Sequence, residues 1–168
     1  MSERETAGRE EILNLLRERG VWFELTEHRA VYHMGELCEA EFPYPEGSAK
    51  NLFVRDDKRR NFYLITVKGE KRVDLKAFRR VKGTRPLSFC SESELMSLLG
   101  LTAGSVSPFG VLNDQGRRVE VFLDREFFDD PGMIGVHPND NTATVWMRTE
   151  DLAAVIEGHG NKVEMVSV

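Results

Sequence analysis

The chain has 168 residues, 40% of them hydrophobic and 30% charged, which suits one soluble globular domain with its own core. No apolar run approaches the roughly 20 residues of a membrane span, and the polar, acidic N-terminus lacks signal or transit character, so the expected location is the cytoplasm. The net charge of −5, taken over the whole chain, argues against a nucleic-acid partner.

The N-terminal part predicts a helix, a strand and a second helix. Residues Glu5–Arg19 carry apolar side chains at helical spacing from Ile12, and Gly20 follows as a stop. The stretch VWFELTEH from Val21 predicts a short strand. A second helix is expected over Tyr32–Glu41, and the Pro- and Gly-containing EFPYPEGSA predicts a loop after it.

A β-hairpin comes next, followed by a basic helix. Lys50–Arg55 and Asn61–Val67 both alternate apolar and polar residues, and the charged turn DDKRR separates them. Asp74–Val81 predicts a short helix with Asp74 as its N-cap and Gly83 as its stop.

This middle part of the chain is strongly basic. Residues 50–85 contain 13 Lys+Arg and 4 Asp+Glu, a net charge of +9, whereas the remaining residues contain 10 and 24, a net charge of −14. Such asymmetry is typical of a surface that binds a polyanion. The alternative is a solvated face that balances the acidic remainder of the chain.

The second half alternates helices and strands. Ser91–Leu99 predicts a helix that starts with a Ser91/Glu94 capping box, and Gly100–Gly110 predicts a loop. Thr149 is the expected cap of a last helix, Glu150–Glu157. Strands are expected at RVEVFLD (118–124), MIGVHP (133–138), NTATVWM (141–147) and Lys162–Val166, with a helical turn at EFFDDPG (126–132). Interspersed helices and strands without a linker predict a single mixed α/β domain over residues 1–168.

Three segments beside strands contain more small polar residues than a connection needs: GSAKN (47–51), AGSVSPFG (103–110) and GVHPNDNTAT (135–144). Small residues let a ligand approach the backbone, whose N–H groups bind phosphate or carbonyl oxygen. Lys50 and Asn51 add a cation and an amide at the mouth of a strand, and His137 lies where a strand breaks into a loop. Each feature taken alone also fits an ordinary solvated lysine, a packed histidine or a plain loop.

Metal, cofactor and covalent chemistry are not predicted. The remaining histidines are scattered without metal-ligand spacing, and Cys38 and Cys90 lie far apart and are expected in or near the core. Nucleophile-elbow, Walker and dinucleotide-binding signatures are absent from the sequence. What remains is a polar pocket with one lysine, one histidine and loop amides, which suits hydrolysis by positioning and oxyanion stabilisation.

Taken together and in this order, GSAKNLFVRD, GSVSPFG and HPNDNTAT resemble the YbaK/ProX superfamily of trans-editing aminoacyl-tRNA deacylases, which also occurs as the insertion domain of bacterial prolyl-tRNA synthetases. The resemblance extends from about residue 8 to the end and is closest to the ProX branch. It implies a curved mixed β-sheet with helices packed around it, and hydrolysis of alanine mischarged on tRNA-Pro without a cofactor, a metal or a covalent intermediate.

The resemblance also implies roles for individual residues. Lys50, Asn51 and His137 match the family's site residues. The acyl pocket would be lined by Gly104, Ser105, Val106, Ser107, Pro108, Phe109, Gly110 and Gly135. The basic segment gains a use as a contact for the tRNA acceptor stem, through Lys58, Arg59, Arg60, Lys71, Arg79, Arg80 and Lys82.

The expected partners are tRNA and, as a docking platform, prolyl-tRNA synthetase; neither a membrane nor DNA is expected. Three alternatives stay open at this point: a Cys-tRNA-Pro deacylase of the YbaK type, a non-catalytic module that binds tRNA or a synthetase, and a hydrolase of free amino-acid esters.

Overall fold

The computed structural model describes residues 7–28 and 43–168, and within them eight strands form two sheets. In chain order the strands are β1 (Phe23–Glu27), β2 (Ala49–Asp56), β3 (Phe62–Lys68), β4 (Leu87–Phe89), β5 (Val119–Asp124), β6 (Met133–Val136), β7 (Ala143–Arg148) and β8 (Val163–Val166). The first sheet has the order β1-β7-β6 and is antiparallel. The second has the order β4-β2-β3-β5-β8 and is mixed, because β5 runs parallel to both β3 and β8.

The two sheets meet where Ser48, just before β2, forms a parallel bridge with Gly135 of β6. Beyond this bridge the two strands separate: β6 ends at Val136, while β2 continues along β3 and later gains β4 at Val54–Asp56. We call the place where β2 and β6 diverge the fork. The predicted mixed α/β domain is confirmed, and its strands form two sheets joined at the fork.

The described helices are α1 (Arg9–Glu18), α2 (Leu75–Lys82), α3 (Glu92–Leu99) and α4 (Thr149–His159). Asp74 caps α2 by accepting hydrogen bonds from the backbone N–H groups of Lys76 and Ala77, as its position predicts. The Ser91/Glu94 capping box of α3 is also confirmed.

One predicted cap is wrong. Thr149 is the first residue of α4, and its N-cap is Arg148. The Thr149 hydroxyl, instead of accepting from the helix, donates to the backbone oxygens of Phe127 (2.7 Å) and Gly132 (3.1 Å). The threonine therefore ties α4 to the turn that precedes β6.

The five-stranded sheet is buried on both faces. One face packs with the three-stranded sheet and with α1, α3 and α4 into the larger core, which includes Phe53 and Leu64. The other face forms a smaller core under α2, in which Phe78 packs against Leu52 and Phe122. Because side chains alternate along a strand, these two cores fix the direction in which every β2 residue points.

The predicted hairpin, the basic helix and the later strands are confirmed within a residue or two of their expected bounds. The Gly100–Gly110 loop contains short 3₁₀ turns at 103–105 and from Pro108, and β4 has no counterpart among the predictions. The helix expected over Tyr32–Glu41 lies outside the described residues. Within the described ranges, no helix has the length and apolar character needed to cross a bilayer.

Candidate active site

Lys50 and His137 each lie two residues past the bridge at the fork, Lys50 within β2 and His137 directly after β6. Residues paired across strands point to the same side, so Ser48 and Gly135 share a face. Lys50 follows Ser48 by two residues and His137 follows Gly135 by two residues, and the strands run in the same direction there. Alternation along each strand puts both residues on the face of Ser48 and Gly135, and their membership of one site stays a prediction.

Lys50 is half-buried, and its ammonium group is directed toward the turn that follows β3. Its Nζ donates to the backbone oxygen of Lys71 over 2.6 Å. No carboxylate of the described residues forms an ion pair with it. Because an ammonium group has three N–H donors, two remain for a ligand.

Asn51 points the other way, toward the larger core. Its Oδ1 accepts a hydrogen bond from the Thr66 hydroxyl (2.6 Å), and its Nδ2 donates to the backbone oxygen of Val106 (3.2 Å). Both ends of the amide are thus used inside the protein. The geometry favours Asn51 as a residue that holds the 103–110 loop against β2, while Lys50 alone of the pair faces the fork.

His137 is largely buried, and its hydrogen bond defines its tautomer. Nδ1 lies 2.8 Å from the backbone oxygen of Ala143, which can only accept, so Nδ1 carries the proton and Nε2 offers a lone pair. Burial lowers the pKa of His137 below its ordinary value, and the neighbouring His28 adds to this effect, whereas the bond to Ala143 and the charge of Asp140 oppose it. The imidazole is therefore neutral at physiological pH.

His28 is a member of the site that the sequence did not single out. Its ring centroid lies 6.0 Å from that of His137, and its Nε2 lies 2.9 Å from the Thr144 hydroxyl. It stands directly after β1, which pairs with β7. The sequence carries no signal of the β1–β7 pairing. Without that pairing, nothing in the sequence connects His28 with His137.

The 103–110 loop bridges the two arms of the fork. Besides the contact of Val106 with Asn51, the Ser107 hydroxyl donates to the backbone oxygen of His137 over 2.5 Å. Ser107, Pro108, Phe109 and Gly110 are buried, with Phe109 in the larger core. Gly104, Ser105 and Val106 stay partly exposed. The predicted pocket loop therefore divides into an accessible first half and a second half that anchors it.

Position 135 has no room for a side chain, because the Trp146 ring packs against it. A Cβ at this position would lie 2.3 Å from an atom of the Trp146 ring, far inside van der Waals contact. Trp146 is fully buried, and its Nε1 donates to the Thr26 hydroxyl over 2.9 Å. The small residue at 135 thus serves the packing at the base of the fork.

The predicted tRNA contacts divide into two groups. Lys71 is paired with Asp124 (2.8 Å) and Glu126 (2.9 Å), and Lys82 is paired with Glu164 (2.6 Å). The others are exposed, and no ion pair links their side chains to another described residue: Lys58, Arg59, Arg60, Arg79 and Arg80. Charge is thus available on the outside of α2 and on the β2–β3 turn.

Metal and thiol chemistry find no support in the described residues. No group of three His, Cys, Asp or Glu side chains in 7–28 and 43–168 is placed to hold a metal ion. Burial raises the pKa of the Cys90 thiol to about 12, so it stays protonated, and it packs against the larger core as expected. Cys38 lies outside the described residues.

Comparisons by family model and by sequence both find similarity to tRNA-editing proteins. Residues 28–155 match the family model described as "Aminoacyl-tRNA editing domain". The chain is 38% identical over 157 residues to the "Prolyl-tRNA editing protein ProX" of Acetoanaerobium sticklandii, a match that covers 94% of this chain and 95% of the relative. It is 26% identical over 141 residues to the "Prolyl-tRNA synthetase associated domain-containing protein 1" of Mus musculus, covering 82% and 83% of the two chains.

Solved structures share the fold. A crystal structure described as a candidate trans-editing enzyme for prolyl tRNA synthetase matches with a TM-score of 0.69 at 20% identity, covering 98% of this chain and 99% of the other. At that level of identity the match supports the architecture alone.

Proposed function

Because the chain belongs to the aminoacyl-tRNA editing domain family, we propose that it is a trans-editing deacylase that hydrolyses alanine mischarged on tRNA-Pro. The observation that carries the proposal is the fork itself. Support comes from an ammonium group that has no carboxylate partner among the described residues and from a neutral imidazole, each two residues past the Ser48–Gly135 bridge. A relative of nearly the same length carries the name of a prolyl-tRNA editing protein, which supports the choice of substrate.

The reaction needs little from the protein, because an aminoacyl ester is already an activated acyl group. Water adds to the ester carbonyl carbon, the bond to the ribose oxygen breaks, and that oxygen takes up a proton, which gives free alanine and tRNA. The lone pair on Nε2 of His137 accepts the proton of the attacking water and returns it to the leaving oxygen. Lys50 holds the carbonyl region or the terminal phosphate with its remaining N–H donors. Asn51 acts indirectly, because it holds the 103–110 loop against β2.

The proposal is tested with purified protein and four substrates: Ala-tRNA-Pro, Cys-tRNA-Pro, Pro-tRNA-Pro and Ala-tRNA-Ala. We expect loss of the aminoacyl group from Ala-tRNA-Pro and none from Pro-tRNA-Pro, because a pocket sized for a methyl side chain excludes a pyrrolidine ring. Hydrolysis of Cys-tRNA-Pro alone would assign the chain to the cysteine-specific reaction. If all four substrates stayed intact, the chain would be a binding module instead of an enzyme.

A basic strip leads away from the fork and supports a tRNA substrate. α2 covers the face of the five-stranded sheet that carries Lys50, and Arg79 and Arg80 lie on its exposed side. β2 ends at Asp56, six residues from Lys50 or roughly 20 Å at the usual rise of a strand, and the turn with Lys58 follows it. We propose that phosphates of the acceptor stem follow this strip while the 3′ end occupies the fork.

The strip predicts a salt-dependent loss of affinity. Replacing both Arg79 and Arg80 with alanine should weaken tRNA binding and reduce the slope of log K against log salt by about 2, close to one for each duplex phosphate contact. Lys82→Ala is the matched control: its charge is already balanced by Glu164 at 2.6 Å, so the slope should change much less. An unchanged slope in the double variant would place the tRNA on another surface.

The cellular setting follows from the same proposal. A protein that edits prolyl-tRNA acts where translation takes place, so we propose a cytoplasmic location and an encounter with prolyl-tRNA synthetase, from which mischarged tRNA is released. Co-sedimentation of the chain with that synthetase, in the presence and absence of tRNA, would detect the encounter.

A further inference from the structure

A buried hydroxyl at the base of the fork has no hydrogen-bond partner in the described part of the chain. Ser48 is 8% exposed, and its Oγ has no hydrogen-bond partner within residues 7–28 and 43–168. Its backbone, by contrast, is engaged: its carbonyl oxygen accepts from the N–H of Gly69 over 2.9 Å, and the residue forms the bridge with Gly135. A buried polar group without a partner costs free energy, so its retention in a folded protein requires a reason.

The neighbours of Ser48 on this face explain why no protein group satisfies it. Its bridge partner Gly135 has no side chain, and the Trp146 ring that packs on that glycine directs its Nε1 to the Thr26 hydroxyl. Lys50, two residues further along the same face, directs its ammonium to Lys71. The polar atoms of these described neighbours are thus directed elsewhere.

The position of the hydroxyl relates it to the proposed reaction. Ser48 and Gly135 form the last paired position before the strands separate, and two residues further along lie Lys50, within β2, and His137, directly after β6. The two backbones lie about 4.8 Å apart at the bridge, and a two-residue step along a strand is about 6.6 Å, so an ester group lying over the fork has the dimensions to extend from Ser48 toward the next residues on this face. Such a group is the planar ester that the site is proposed to hydrolyse.

We propose that the Ser48 hydroxyl donates a hydrogen bond to the carbonyl oxygen of the bound aminoacyl ester. When water adds to the carbonyl carbon, the electron pair of the C=O bond moves to that oxygen, and it returns when the bond to the ribose oxygen breaks. Because the Oγ is covered in the structure without substrate, the bound ester must displace what covers it; the hydroxyl, which has no competing acceptor, then turns its O–H toward the carbonyl oxygen and stabilises the transient negative charge. Lys50 provides positive charge on the same side. This inference rests on the proposed deacylase function and adds a residue that contacts the substrate.

The test is the single-turnover hydrolysis rate of Ser48→Ala at saturating enzyme, measured together with its thermal stability. We expect the rate to fall about 10- to 100-fold, tRNA affinity to stay within twofold, and the melting temperature to stay the same or rise, because the lost hydroxyl had no partner. Ser107→Ala is the matched control for stability: that serine is also buried, but its hydroxyl bonds to His137 and Phe109, so its loss should lower the melting temperature.

The outcomes separate this inference from the proposed function. Wild-type hydrolysis with a Ser48→Ala rate within twofold of it would overturn the role of Ser48 and leave the deacylase intact. If the wild type itself hydrolysed no aminoacyl-tRNA, the function would fail first. A lower melting temperature with an unchanged rate would mark Ser48 as structural. Ser48→Cys, which fills the same space with a weaker donor, should have an intermediate rate, and it serves as the test variant if the alanine variant does not fold.

Discussion

Replacing Lys50 with alanine should lower kcat/KM for Ala-tRNA-Pro by about 100- to 1000-fold, the range seen when one donor to a developing oxyanion is removed. The reason is that Lys50 supplies a half-buried positive charge at the fork that no described carboxylate neutralises. The variant loses one hydrogen bond to the backbone of Lys71, so its free energy of unfolding should fall by about 1 kcal/mol. Steady-state hydrolysis and a thermal melt, measured on the same preparation, separate the two effects.

Lys68→Ala is the matched control for this experiment. Lys68 lies on β3 next to the start of β2, where it pairs with Ala49, so it points to the face opposite Lys50. Its ammonium lies 5.1 Å from the centre of the Phe127 ring and contacts the backbone of Glu46. Activity should stay within about twofold of the wild type. Equal losses in both variants would show that the general positive charge of this region matters and that Lys50 has no special place.

The hairpin and the side of the sheet on which each of its residues lies could be predicted from the sequence, because alternation along a strand is a local property. Lys50 and Asn51 illustrate this alternation. The resemblance assigns both residues to the site, yet consecutive strand residues point to opposite faces. The burial of Phe53 and Leu52 in different cores shows which face is which. Asn51 consequently supports the loop from the core side.

The fork itself could not be predicted from local pattern. It depends on the pairing of Ser48 with Gly135, residues far apart in the chain, and a single bridge leaves no periodic signal. The same limit applies to His28, which reaches His137 only because β1 and β6 both pair with β7. Motif resemblance supplied Lys50 and His137 without this geometry. It could not supply Ser48, whose distinguishing feature is a missing hydrogen bond.

The neutral imidazole of His137 predicts the acid side of the pH–rate profile. Because burial, with a contribution from His28, lowers the pKa of His137, the lone pair on Nε2 persists below the ordinary histidine value of 6.5. Activity should therefore be level from alkaline pH down through 6.5, and it should fall only as the pH drops through the lowered pKa, where the imidazole takes up a proton. The midpoint is read from kcat/KM for Ala-tRNA-Pro, and it is compared with the titration of the His137 ring followed by NMR.

Two substitutions separate the nitrogens of this ring. His137→Asn places an amide N–H near Nδ1, so it can keep the hydrogen bond to Ala143 while removing the group at Nε2. Activity should then fall about 100-fold or more, the usual contribution of a general base, with little change in stability. His137→Gln places an amide near Nε2 instead and cannot titrate, so its residual activity should show no acid limb. An acid limb that persists in His137→Gln would assign the titration to another group, and His28, the imidazole 6.0 Å away, would be the first to substitute.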